Sequence, residues 1–202
     1  MRSRNRGGAP MKSYGNNYSE IIRIQQVGSA DCFKSFFCGV NVMDDFIHNG
    51  LDLSVKNNYC KLYRVSLLDK AVALFALTFD SLYLDTDDKE DLIQFNTLNL
   101  SKDYSETFWS KRHYPAMEIS YLAVAKDCRG SGLGSLLVAE IARRVISQTL
   151  GGCQFLTVEA LACNKWGSDN NAVGFYLKQN FIPCEYPNPA KSTLRMFRPL
   201  YS

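Results

Sequence analysis

Histidine occurs only twice in the 202 residues, and the seven cysteines contain no C-x-x-C pair. Zinc sites are built from closely spaced Cys and His, and disulfide frameworks from even, paired cysteines, so this pattern argues against both. The thiols fit small buried hydrophobes kept reduced, and a cytoplasmic location without a metal is expected. Long apolar runs are also missing. No stretch approaches the length needed to cross a bilayer, and the arginine-bearing start lacks the apolar centre of a signal peptide, so no membrane partner is expected. An excess of one charge is missing too, since 23 Lys and Arg face 20 Asp and Glu. Residues 1–12 hold Arg2, Arg4, Arg6 and Lys12 and no acid, which leaves 19 basic against 20 acidic side chains in the rest. That remainder is polarised: residues 13–125 carry 10 basic and 15 acidic side chains, residues 126–202 carry 9 and 5. A modest positive half suits a small polyanion better than a nucleic-acid duplex.

With 46% hydrophobic and 21% charged residues, the composition is that of a globular domain with a real core. Residues 1–17, rich in Arg, Gly, Ser and Asn, are expected to be a disordered basic extension, and 18–202 a single domain. Glu20 to Val27 alternates as a first strand, and Asp31 to Phe37 predicts a short helix ended by Cys38-Gly39. Asn41 is placed to cap a helix through Met43, Phe46, Ile47 and Leu51. Asp69-Lys70 is predicted to turn a β-hairpin, whose second arm, Ala71 to Leu77, is apolar on both faces and belongs mid-sheet. Residues 85–116, with Asp85, Asp87, Asp88, Glu90 and Asp91, form an acidic insertion, read either as a lid or recognition element or as a solvated face.

The most informative stretch is Arg129-Gly130-Ser131-Gly132-Leu133-Gly134. It lies between the strand-like Glu118 to Ala125 and a helical pattern of Leu136, Leu137, Ala139, Ile141, Ala142, Val145 and Ile146. A glycine-rich turn from strand to helix leaves backbone N–H groups free to hold an anion. The third glycine comes one position early for a dinucleotide fold, and Gly134 is followed by Ser135-Leu136 rather than the Lys-Ser/Thr of a P-loop. The stretch resembles instead the R-x-x-G-x-G/A signature of the GCN5-related N-acetyltransferases (GNAT). Ala172-Val173-Gly174-Phe175-Tyr176-Leu177-Lys178-Gln179-Asn180-Phe181 resembles that family's A-x-x-F-Y-x-x-x-G-F motif, with Asn180 in place of glycine. Asparagine is the next-best residue for a left-handed helix end. The two motifs stand in the family's order, and the likeness covers roughly residues 20–200.

This resemblance implies an α/β fold of the GNAT type. Its central mixed, mostly antiparallel twisted sheet would have six or seven strands, splayed between the fourth and fifth and flanked by about four helices. It also implies acetyl-CoA as co-substrate and direct attack by a primary amine in a ternary complex. Backbone groups of Leu122, Ala123 and Val124 would hold the pantetheine arm and the thioester, with the amide of Val124 near the acetyl carbonyl. Arg129, Gly130, Ser131, Gly132, Leu133, Gly134 and Ser135 would hold the pyrophosphate. Tyr176 would protonate the leaving thiolate. Glu118 and Glu159 are rival candidates for the base, and His113 is taken for surface.

For the acceptor three readings stand. Phe37-Cys38-Gly39-Val40-Asn41-Val42-Met43-Asp44-Asp45-Phe46-Ile47 resembles the opening of the TacT-like acetyltransferase toxins, which acetylate aminoacyl-tRNA. That branch implies an antitoxin as partner, and a homodimer is among the expected assemblies. Lys165, Lys178, Lys191, Arg195 and Arg198 are the cations available for RNA, although the body is near neutral. A protein or small-molecule amine is the second reading, and a non-catalytic acyl-CoA sensor the third.

Overall fold

The structure, a computed structural model, describes residues 22–94, 100–148, 151–162, 172–184 and 192–201. The expected basic extension and the candidate cations Lys165 and Lys191 lie outside these residues. Seven strands form one sheet: β1 (Arg23–Val27), β2 (Lys61–Leu67), β3 (Lys70–Tyr83), β4 (His113–Val124), β5 (Phe155–Leu161), β6 (Ile182–Pro183) and β7 (Thr193–Pro199). Their order is β1-β2-β3-β4-β5-β7-β6, and only the β4–β5 pair is parallel. Six α-helices accompany the sheet among the described residues, rather than about four: α1 (Asn41–Asn49), α2 (Leu51–Lys56), α3 (Thr86–Gln94), α4 (Lys102–Ser110), α5 (Leu133–Ser147) and α6 (Val173–Leu177).

The apolar run of β3 lies in the middle of the sheet, with Ala73, Leu74, Phe75 and Ala76 fully buried. Its hairpin with β2 turns at Leu68 and Asp69, both at positive φ (47° and 65°), as a two-residue primed turn requires. Helix α5 buries Leu133, Leu137, Val138, Ile141, Ala142 and Val145; of the expected stripe Leu137, Ile141, Ala142 and Val145 are buried, whereas Leu136 is half-buried and Ala139 and Ile146 are exposed. Each fully buried Leu, Ile or Val contributes about 1.5–3 kcal/mol.

Two local expectations change. Asn41 is the first residue of α1 rather than its cap, and makes no capping bond. Asp44 does the work from within the helix: its carboxylate accepts the N–H groups of Cys38 (2.7 Å) and Gly39 (2.9 Å). The helix then breaks at Gly50, where a Cβ would fall 2.8 Å from the Phe46 ring.

The acidic insertion forms α3 and α4, and β4 already begins at His113. Asp85 and Asp88 cap the start of α3 reciprocally, each carboxylate accepting the other's backbone N–H (2.9 and 3.0 Å). Beneath the helices Leu82, Leu84, Leu92, Phe108, Tyr114, Phe155 and Phe197 form a second small core. Lys89 is only 3% exposed, its ammonium donating to the carbonyls of Trp109 (3.2 Å) and Lys111 (2.5 Å). Asp87, Glu90 and Asp91 face solvent.

Candidate active site

Strands β4 and β5 pair only through Ala116–Glu118 and Phe155–Thr157, after which they part. From Ile119 to Val124, β4 keeps β3 on one side and, among the described residues, has no strand on the other. A bulge at Ser120, where Ala76 pairs with Tyr121 and Leu77 with Ile119, bends β4 at the point of parting. The cleft is a cavity of about 560 Å³. Leu122, Ala123 and Val124 line one side, Tyr176 and Phe175 of α6 another, and Val40, Val42 and Met43 at the start of α1 a third. Glu118, Glu159 and Ser120 supply its polar groups and Arg129 stands at its lining. Buried peptide groups without a strand partner favour an extended ligand that can pair with them. The Ser120 hydroxyl oxygen is likewise buried with no hydrogen-bond partner among the described residues.

The glycine turn adjoins the cavity. Gly130 and Gly132 sit at φ +73° and +82°, and a Cβ at either would meet nothing within 4 Å. Gly132 precedes α5 with no side-chain cap, so the helix's first N–H groups remain available beside the exposed Arg129, Gly130 and Ser131. Gly134 has a different reason: a Cβ there would lie 3.2 Å from the Phe175 ring, so it lets α5 and α6 approach. Leu133 is core. Ser135 accepts a hydrogen bond from Gln179 at 3.0 Å, tying the two motifs together, and Ser131 Oγ donates to the Cys128 carbonyl at 2.6 Å. Asn180 is left-handed at φ 62°, as its replacement of glycine requires.

Tyr176 is 6% exposed, packed edge-on against Phe175 and Phe181. Its hydroxyl has no hydrogen bond to a described residue, and burial raises its pKa well above the ordinary tyrosine value, so it stays protonated. Glu118 is half-buried and has no hydrogen bond or ion pair with a described residue. Burial raises its pKa, helped by the nearby charge of Asp80 and opposed by Arg195. Glu159 is exposed and engaged, accepting from Thr193 (3.0 Å) and Arg195 (3.4 Å). Arg195 also donates to Asp80 at 2.6 Å, and Thr157 donates to the same carboxylate. The two rivals therefore differ: Glu159 is held by partners, Glu118 is not. His113 lies away from the cavity, its ring 5.3 Å from that of Tyr83.

Sequence reading missed Asp80, Thr157 and Arg195 as a network, because they are brought together only by pairing of β3, β4, β5 and β7. Asp80 alone carried a signal, the one acid in a mostly apolar strand. Arg195 is thereby removed from the set of free cations proposed for RNA. No residue of α3 or α4 lines the cavity.

A family model described as an acetyltransferase (GNAT) domain matches residues 87–183. The match spans 97 of the 202 residues, so this stretch of the chain resembles a GNAT acetyltransferase domain. The splayed strand and α6 line one cavity, and the glycine turn adjoins it. A tyrosine-to-phenylalanine variant of the AtaT toxin superposes with a TM-score of 0.64 at 20% identity, covering 93% of this chain and 94% of that one. AtaT complexed with acetyl-methionyl-tRNAfMet gives 0.61 at 21%, covering 88% and 94%. A variant of KacT gives 0.61 at 20%, covering 89% and 95%. A search of curated protein sequences finds no significant match. No helix among the described residues is long and apolar enough to cross a membrane, and no group of three or more His, Cys, Asp or Glu among them fits a metal ion.

Proposed function

We propose that this chain acetylates the α-amino group of aminoacyl-tRNA, acting as a toxin that an antitoxin partner would restrain. The observation that carries the acceptor assignment is the third wall of the cavity. Val40, Val42 and Met43, from the segment resembling the toxins' opening, share one cavity with Glu118 and Tyr176. An apolar wall beside a carboxylate suits an amine borne on a small, partly apolar group. The full-length likeness to AtaT, solved with acetyl-methionyl-tRNAfMet and with the antitoxin AtaR, supports the same reading.

Acetyl-CoA fits this site on two observations, the unpartnered peptide edge of β4 and the open glycine turn before an uncapped helix. Bound there, it supplies the activated acetyl group. Leu122 to Val124 would pair with its arm, and Arg129 to Gly132 with the N–H groups opening α5 would hold its phosphates. Backbone N–H at Val124 would stabilise charge developing on the carbonyl oxygen. The neutral α-amine would attack through its lone pair, and Glu118 would take one proton from that nitrogen as the C–N bond forms. Tyr176 gives its proton to the sulfur as the C–S bond breaks. An α-amine titrates near ~8, against ~10.4 for lysine, so a carboxylate of raised proton affinity is the better match for an α-amine.

The test supplies purified protein and labelled acetyl-CoA with a tRNA pool charged with amino acids, the same pool uncharged, lysine peptides and small amines. Label on charged tRNA alone is expected. Label on peptides or small amines instead would overturn the acceptor assignment and leave the acetyltransferase intact.

A further inference from the structure

Outside the acceptor cavity lies a second groove of about 360 Å³, between the last turn of α5, the start of β2 and the middle of β3. Its character differs from the rest of the surface. Tyr59 and Phe79 line it, and they are 56% and 77% exposed, a high exposure for large rings without a partner. Lys61 and Arg144 bring positive charge, and Asn58 and Gln148 bring amides. Tyr59 lines both this groove and the acceptor cavity, so the two meet at one ring.

We propose that this groove binds the single-stranded nucleotide next to the aminoacylated terminal residue of the tRNA acceptor. The inference rests on the acceptor reading above and adds a site to it. Exposed rings interleaved with cations and amides are the chemistry of sequence-tolerant single-strand binding, in which bases stack and backbone phosphates meet lysine or arginine. Phe79 and Tyr59 offer stacking faces. Lys61 is the cation for phosphate: it is exposed, and its partner, Asn58 at 2.5 Å, is neutral. Arg144 is held at 2.7 Å by Glu140 and serves as a wall. The carbonyl end of α5 disfavours phosphate there but accepts from the exocyclic amines of adenine or cytosine. The chain direction follows: amine in the cavity, terminal sugar passing Tyr59, next base against Phe79. The near-neutral body is then no obstacle, because a short single strand needs few cations where stacking supplies affinity.

The test compares two acceptors, charged tRNA and 3′-aminoacyl-adenosine, which has the amine and the terminal nucleoside but no second base. Phe79→Ala should raise KM for charged tRNA about tenfold with kcat unchanged, and leave KM for aminoacyl-adenosine as it was. Lys61→Gln should raise the tRNA KM and flatten its salt dependence, again without touching the small acceptor. Phe79 and Lys61 are both exposed, so neither change threatens folding. Unchanged tRNA KM in both variants would overturn the groove while the acceptor reading stands, and so would a fluorescent single-stranded tetranucleotide that binds both variants as tightly as the parent. Failure of both acceptors to be acetylated would remove the acceptor reading and this site with it.

Discussion

Tyr176 and Glu118 face one cavity, and in the proposed mechanism the same physical cause suits them to opposite proton transfers. Burial disfavours the charged form of each, so the phenol holds its proton and can donate, while the carboxylate gains affinity for a proton. Tyr176→Phe removes a hydroxyl with no described partner, so stability should hold. Turnover should fall by about 10²-fold or more with acetyl-CoA affinity unchanged by calorimetry. Unaltered kcat with the best acceptor would end the acid role. For Glu118, kcat/KM should rise with pH along a limb lying above the ordinary glutamate range, as the residue loses its proton. Glu118→Gln should lower the rate by about 10²-fold and abolish that limb. The stability sign is opposite. Because the folded pKa is raised, the folded state binds more protons than the unfolded one between the two values, and stability falls as pH climbs through that window. Glu118→Gln should therefore be at least as resistant to urea at neutral pH as the parent, a result that a purely structural glutamate would not give.

Among elements, the turn into α5 shows how three glycines within five positions answer to different forces. Gly130 and Gly132 are left-handed with open space where a side chain would stand, and Gly134 is squeezed against Phe175. Gly132→Ala would place a side chain at φ +82° and beside the N–H groups proposed to hold phosphate, at a strain of about 1–2 kcal/mol. Its expected signature is a loss of acetyl-CoA affinity of about tenfold, read by calorimetry, with kcat at saturation largely kept. A fall in kcat without any change in affinity would mean that the turn positions the helices rather than the phosphates. The R-x-x-G-x-G pattern made this element legible, because local backbone needs are written in local residues. The insertion was not legible in the same way. Its acids stood out, but Leu92, Phe108 and Tyr114 are the residues that anchor it, and their partners Phe155 and Phe197 come from distant strands.

At the scale of the molecule, charge is divided unevenly between the first residues and the body. Residues 1–12 carry four of the 23 basic side chains and no acid, and Arg195 in the body is spent on Asp80 and Glu159. RNA affinity should therefore depend on salt only modestly, and deletion of residues 1–12 should flatten the slope of log KM for charged tRNA against log salt still further. A steep slope unaffected by the deletion would point to a basic surface on the body that the present assignment leaves out.

By itself the chain's order of residues determined the local backbone. The left-handed Gly130 and Gly132, the Phe175-Tyr176 helix and the left-handed Asn180 were legible because each depends on neighbours within a few positions. The split of β4 from β5 was expected from family likeness and became a cavity only in three dimensions. Which carboxylate stands free was decided there as well. Glu118 and Glu159 look alike along the chain, and Arg195, 36 residues beyond Glu159, distinguishes them by pairing with one and with Asp80. Proton affinity depends on what surrounds a group in space, and sheet pairing sets that.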